Sequence, residues 1–399
     1  MRILFLSPYV PSRIRVRPFN WIRALAGLGH EVHLVCLRPP EDQWASLDDI
    51  GPSCASVEVV ELTRARTLAN ALRALPGQAP LQLAYSTHPG AQRAAAAAAR
   101  RHAVEVVHVE HLRGVAMATL VRDVPIVFDA VDSIAALFRL AQASAPSRGA
   151  RLMARLDLAR TERFERGAAA RFDRVLVASL AERDAFWSSD PSRVIALPNG
   201  VDLEAFRPRD AAADAGVPPT VIFSGKLSYH ANDAAVRRLL DRIMPRVWAL
   251  RPEVRVVLAG KDPAPHVAAL ASDARVRVTG FVPDLCVELQ QATLAACPLV
   301  YGVGIQNKVL EAMACGLPVV VSPEVMRPLA ASAGQHLDVA GDDEAFAQAI
   351  VRLIDDRARR AALGRAARAF VEAQHDWQVL GRRLVEAYEA AMRARSASA

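Results

Sequence analysis

Three lysines stand in a 399-residue chain that otherwise carries its basic side chains as arginine: Lys226, Lys261 and Lys308. Each comes after an apolar run of strand length, in a segment that contains glycine. The runs are Phe223-Ser224-Gly225-Lys226, Leu258-Ala259-Gly260-Lys261 and Tyr301-Gly302-Val303-Gly304-Ile305-Gln306-Asn307-Lys308, the last after the run Leu294–Pro298. Glycine admits close backbone approach to a ligand, and lysine brings a compact point charge. A helix expected to open at Asn232 or Asp233, and another at Lys308, would aim free backbone N–H groups at the same rim, which suits a phosphate. Glu311 lies three residues after Lys308, on the same helical face. There a lysine can hold phosphate while a glutamate accepts bonds from both hydroxyls of a ribose. A solvated Lys–Glu surface pair is the competing reading. The neighbouring positions Val309-Leu310 and Ala312-Met313 are apolar, however, and a charged pair on a mostly buried helix requires a partner. Three lysines on one rim of one sheet indicate a phosphorylated ligand.

The first half offers a different set. The run Val104–Val109 ends in Glu110-His111, and Ile126–Phe128 ends in Asp129-Ala130-Val131-Asp132. A histidine or carboxylate at a strand end could do general acid or base work on a bound substrate. His111, Glu110 and Asp132 are the candidates there; His108 interrupts an apolar run and reads as a hydrogen-bonded core residue. Arg13, Arg15 and Arg17 alternate with apolar residues after the first strand and are acceptor-side candidates for a phosphate-bearing group. The arginine-rich stretch Gly149–Arg171 could rest on an anionic membrane or form the wet face of a helix.

Alternating apolar strands and helical patterns must position these residues. Strands are expected at Ile3–Leu6, Glu31–Leu37, Val57–Leu62, Val104–Val109, Ile126–Phe128, Arg174–Ala178 and Val194–Leu197. After a break they recur at Thr220–Ser224, Arg255–Ala259, Arg275–Thr279, Leu294–Pro298, Pro318–Ser322 and His336–Val339. Continuous apolar strands separated by helices imply parallel strands buried on both faces, an α/β doubly wound arrangement. Two Rossmann-like domains follow, over 1–205 and 206–375, with a closing helix over 376–399 that crosses back to the first. The linker is expected at Arg207–Pro219. Ligands in such sheets bind beyond the carboxyl ends of the strands, so the site is expected in a cleft that both domains face.

Composition narrows the function further. The net charge is +7 and the sequence pI about 9.5, but the arginines are scattered and aromatics are 6%, too few for a base-stacking platform; no nucleic-acid partner is expected. Five dispersed cysteines exclude a disulfide scaffold or zinc ribbon and fit a reducing compartment. No signal peptide or membrane-length apolar run is read, and a cytoplasmic location is expected, with peripheral contact at the inner face of the membrane. The lysines take over charge neutralisation, so no metal and no bound cofactor are expected.

The second half resembles the donor domain of the retaining nucleotide-sugar glycosyltransferases of GT-B fold, family 4. The matching residues run from Asn199-Gly200-Val201-Asp202 through Gly225-Lys226, Val256–Gly260, Thr279-Gly280-Phe281 and Cys297-Pro298-Leu299 to Glu311-Ala312-Met313-Ala314-Cys315-Gly316-Leu317-Pro318-Val319-Val320. The first half is similar more loosely, through Arg2-Ile3-Leu4, Leu25–Leu28 and Gly29-His30-Glu31-Val32. The resemblance implies that Glu311 holds the donor ribose and that Lys226 meets the diphosphate. Gly302, Val303, Gly304 and Ile305 would lie against sugar and phosphates, and Phe281 and Val282 near the base; Gly225, Lys261 and Lys308 complete the donor set, and His111, Lys226 and Glu311 are the catalytic candidates. Val303 replaces a second glutamate common in the family, and Ala231 or Asn232 stands where a second lysine is common; Lys308 is expected to supply that charge. The implied activity is sugar transfer from a nucleotide-diphosphate donor to a glycan or lipid-linked acceptor with retention, in cell-surface polysaccharide assembly. The alternatives are a nucleotide-sugar epimerase on the same fold and a non-catalytic nucleotide-sugar-binding subunit.

Overall fold

A computed structural model describes residues 1–42, 45–143, 148–186, 191–208, 218–301 and 304–397. The expected linker therefore lies mostly, and Gly302 and Val303 wholly, outside the described residues. The chain forms two compact units, Met1–Pro198 with Trp377–Ala399, and Asn199–Asp376.

The first unit is built on a parallel seven-stranded sheet. Its strands are β1 (Arg2–Ser7), β2 (Glu31–Arg38), β3 (Ser56–Glu61), β4 (Val106–Glu110), β5 (Ile126–Val131), β6 (Arg174–Val177) and β7 (Val194–Ala196), in the order β3-β2-β1-β4-β5-β6-β7. The central strand β1 is apolar without alternation because both its faces are covered: Ile3, Leu4, Phe5 and Leu6 are all fully buried. On one face lie helix α1 (Val16–Gly27) and the last helix, Trp377–Ser396, where Trp21 meets Trp377 edge-on at 4.8 Å between centroids. That contact places the C-terminal helix on the N-terminal sheet, 3.6-residue periodicity supplying the buried stripe Leu380, Leu384, Tyr388 and Ala391.

The second unit carries a parallel six-stranded sheet of β8 (Thr220–Ser224), β9 (Arg255–Ala259), β10 (Val276–Gly280), β11 (Leu294–Cys297), β12 (Val319–Val321) and β13 (Asp338–Val339), ordered β10-β9-β8-β11-β12-β13. Both sheets reverse strand order once, at β1/β4 and at β8/β11. Such a switch point leaves a crevice where the flanking loops diverge to opposite faces, and ligands lodge there in open α/β sheets.

Candidate functional site

In the second unit the loops flanking the switch point hold the sequence-derived residues. β8 ends at Ser224 and the chain turns through Gly225 at φ +136°, a conformation closed to side chains with a Cβ. The β9 loop closes on it: Gly225 N–H donates to the Ala259 carbonyl, Leu227 N–H to the Lys261 carbonyl. A Cβ on Gly260 would stand 1.7 Å from the Gly225 oxygen. Glycine at both positions therefore lets two lysine-bearing loops touch. Lys226 is exposed with the Asp262 carboxylate at 3.8 Å, and the Lys261 ammonium has no partner among the described residues.

The third lysine arrives from across the switch point. After β11, helix α2 (Asn307–Ala314) buries Val309, Leu310, Met313 and the alanines between them, each large side chain contributing about 1.5–3 kcal/mol. It is stopped by Gly316 at φ +66°, with Gly316 N–H on the Met313 carbonyl and Leu317 N–H on the Ala312 carbonyl, the Schellman pattern that leads into Pro318 and β12. Packing of this face turns Lys308 and Glu311, both half-buried, to the side where the β8 loop lies. Lys308 Nζ sits 4.4 Å over the Phe223 ring and donates to Asn232 Oδ1 at 2.5 Å. Burial lowers its pKa, with Cys297 and Glu311 opposing. The Glu311 carboxylate takes no hydrogen bond or ion pair among the described residues, and burial pushes its pKa up to about 7 against the pull of Lys308. A carboxylate desolvated and left without donors keeps its acceptor capacity unused inside the unit.

Phe281, at the end of β10, is 73% exposed, an aromatic face with no internal use, and Val282 follows it half-buried. Gly304, at φ +71°, and the buried Ile305 lead into α2. The helix after β8 begins at His230 with Tyr229 as its N-cap. This corrects the expectation that Asn232 or Asp233 caps it: Asn232 instead donates to the Lys226 carbonyl at 2.9 Å, and Asp233 pairs with Arg237 and His266.

In the first unit, the tips of β4 and β5 are strained. His111 has φ +62° and Val131 φ +65°; for a β-branched residue that is a true outlier, at a cost of about 1–3 kcal/mol. The β5/β6 register shifts at the same point, between Asp129 and Val131. Asp129 holds the turn: its Oδ1 accepts from Val131 N–H at 3.0 Å and from Arg17, its Oδ2 from Arg17 and from Trp21 Nε1. His111 Nδ1 accepts from Arg113 N–H at 3.1 Å, which puts the ring proton on Nε2. Burial and the neighbouring arginines depress the His111 pKa to about 3, so the ring is a neutral N–H donor at physiological pH. Asp132 Oδ1 is buried without a hydrogen-bond partner, and burial raises that carboxyl to about 6.

Two acceptor-side candidates are corrected. Arg17 is 5% exposed, paired to Asp129 at 2.8 Å and bonded to the Leu197 carbonyl; its charge is consumed inside the unit. Glu110 is fully buried beside Asp129, bonded to Tyr9 and His108, and burial holds its carboxyl well above the usual range. It belongs to the core network that also includes His108, whose Nδ1 meets Tyr388 Oη at 2.9 Å. His108, Glu110 and Asp129 bring ligand-type atoms within 4.8 Å of one another, but both oxygens of Asp129 are already engaged, with the Arg17 guanidinium as the positive charge among them. Arg13 and Arg15 remain more accessible, paired with Asp49 and Asp42.

Comparison with known proteins bears on the family and the fold. A family model described as "Glycosyl transferase 4-like domain" matches residues 14–200, and one described as "Glycosyl transferases group 1" matches residues 218–356. The chain belongs to family 4 of the GT-B glycosyltransferases. Among its relatives is a GDP-mannose-dependent monoacylated alpha-(1-6)-phosphatidylinositol monomannoside mannosyltransferase of Corynebacterium glutamicum, 31% identical over 47% of this chain and 54% of that protein. Another is a phosphatidyl-myo-inositol mannosyltransferase of Mycobacterium leprae, 29% identical over 54% of this chain and 58% of that one. The chain thus spans little more than half the length of these curated relatives. Solved structures share the fold: a sucrose-phosphate synthase from Thermosynechococcus elongatus (TM-score 0.68, 18% identity, 99% and 100% of the two chains) and Anabaena HepE in complex with UDP-glucose (0.65, 16%, 98% and 100%).

Proposed function

We propose that this glycosyltransferase binds a nucleotide-diphosphate sugar at the β8/β11 switch point and transfers the sugar, with retention, to a hydroxyl of a glycan or lipid-linked acceptor. The observation that carries the reading is the convergence of Lys226, Lys261 and Lys308 on one pair of loops beside a desolvated, donorless Glu311. Three cations match a pyrophosphate, an ionised carboxylate matches the two hydroxyls of a ribose, and the exposed Phe281 ring offers a face to the base. In transfer the bond from the anomeric carbon to the phosphate oxygen breaks and one to the acceptor oxygen forms. The acceptor proton passes to the departing phosphate, whose charge the lysines stabilise. His111 Nε2–H and Asp132 serve the reacting hydroxyls, one as donor and one as acceptor. Lysine charge makes the step independent of a divalent metal.

The acceptor reading includes a membrane surface. Among the described residues no helix is long and apolar enough to cross a membrane. Residues 62–104 contain six arginines and no acidic residue. Helix Arg64–Ala74 in this segment exposes Leu68 (63%) and Leu72 (59%), with Leu75 (43%) just beyond it. Apolar side chains at helical spacing flanked only by positive charge suit the interface of an anionic bilayer. The stretch 149–171 is less available: Arg160 bonds the Leu75 carbonyl, Arg163 bonds Gln78 and Arg166 pairs with Glu162.

The test is calorimetric and thermal-shift titration of the full chain with UDP, GDP and ADP, followed by turnover with the matching sugar donors, GDP-mannose and UDP-glucose first. Saturable binding of one diphosphate and transfer to an acceptor support the reading. Binding without transfer to any acceptor favours the non-catalytic alternative, and no binding removes the site.

A further inference from the structure

We infer that Asn232 is a positioning residue: it sets the Lys308 ammonium against the Gly225-Lys226 turn without cancelling its charge, so that a lysine of the β8 loop and one of helix α2 act on one pyrophosphate. The inference rests on the donor-site reading above and deepens it.

Asn232 lies in the first turn of helix His230–Arg237 and is only 7% exposed. Its amide is used at both ends. Nδ2 donates to the Lys226 carbonyl at 2.9 Å, and Oδ1 accepts from Lys308 Nζ at 2.5 Å. One side chain therefore ties the β8 turn to helix α2 across the switch point. Space for this junction is made by Gly225, where a Cβ would stand 3.1 Å from both Asn232 Nδ2 and Lys308 Nζ.

The chemistry of the partner matters as much as its position. Lys308 has three N–H donors and gives one to a neutral oxygen. Among the described residues it makes no ion pair, and the Phe223 ring below it supplies only a quadrupole. A lysine left with two donors and its charge in a half-buried place is an anion site, whereas an aspartate at position 232 would neutralise the ammonium and, having no N–H to give, would lose the bond to the Lys226 carbonyl. Substitutions at 232 and at 308 together separate position from charge: Lys308→Met removes the charge and leaves the tie between Asn232 and Lys226, whereas Asn232→Ser loosens the tie and leaves the charge.

The experiment uses the full chain with the nucleoside diphosphate that binds wild type, and the corresponding nucleoside as control. Asn232→Asp, which gives up the bond to the Lys226 carbonyl, is expected to stay folded with some loss of melting temperature and to bind the diphosphate tenfold or more weakly, with nucleoside affinity unchanged. Lys308→Met should lose a similar factor, and Asn232→Asp/Lys308→Met no more than either alone, because both remove the same charge. Asn232→Lys/Lys308→Met, which brings an ammonium to the same point from the other side, should recover affinity. Asn232→Ser, smaller and neutral, serves as a second variant should the aspartate fail to fold, with the same expected loss. If Asn232→Asp and Asn232→Ser bind the diphosphate like wild type while Lys308→Met does not, the role of Asn232 is refuted and the donor site stands. If wild type binds no nucleoside diphosphate, the donor reading fails, and this inference with it.

Discussion

Replacing Glu311 with glutamine should stabilise the free protein while damaging its nucleotide site. The carboxyl is pushed from about 4.5 to about 7 by burial, with no donor among the described residues to offset it. For a group raised in the folded state, the stability contribution is full below about pH 4.5 and is lost as pH climbs to about 7, because the unfolded chain ionises first. At about 1.4 kcal/mol per tenfold, the whole difference is at most roughly 3 kcal/mol; relaxation and water around a half-buried group reduce it to about 1–2 kcal/mol. Glutamine keeps the shape and cannot ionise. The Glu311→Gln variant should thus track wild type near pH 5 and gain about 1–2 kcal/mol by pH 8, which for a unit of this size is roughly 2–8 °C in Tm. Differential scanning calorimetry at both pH values reads the gain, and titration with the nucleoside diphosphate reads the loss of affinity. A variant equally or less stable than wild type at pH 8 would refute the picture of a desolvated carboxylate held ready for ligand.

Further outcomes follow from the same geometry. The free-enzyme pH profile of kcat/KM should fall on the acid side as Glu311 and Asp132 protonate, near 7 and 6; His111, depressed to about 3, should contribute no limb in that range, and His111→Ala should lower the rate tenfold or more without moving the limb. Gly260→Ala forces a Cβ to 1.7 Å from the Gly225 oxygen, and should cost more than about 2 kcal/mol in chemical denaturation together with nucleotide affinity. Val131→Gly relieves a strained turn, so the melting temperature should hold or rise while kcat falls; a fall in both would mark the strain as incidental. Activity measured in EDTA should equal that in magnesium, and strict metal dependence would contradict charge neutralisation by lysine. Leu68→Ser/Leu72→Ser should weaken sedimentation with phosphatidylglycerol vesicles and leave nucleotide binding unchanged.

The parallel core was legible in the chain because a strand buried on both faces must be apolar throughout, and the runs from Ile3–Leu6 to His336–Val339 each coincide with an observed strand to within a few residues. The three lysines were legible for a related reason: a rare residue repeated after strands at glycine marks a rim that the topology alone brings together. Short helices were less so; Ile134–Ala143 and Leu285–Gln291 are too brief to show a period against the apolar background.

Side-chain partnerships belong to the tertiary structure. Spacing could not tell that Arg17 turns inward to Asp129 while Arg13 and Arg15 stay out, since the partner lies more than a hundred residues away. Nor could it show Asn232 leaving its helix end to bridge Lys226 and Lys308, or His111 and Val131 held at positive φ. Sequence determined which charged residues stand at strand ends, because type and strand-end position are local properties. Which charges remain uncompensated for a ligand is a balance of burial and distant partners, and only the packed chain decides it.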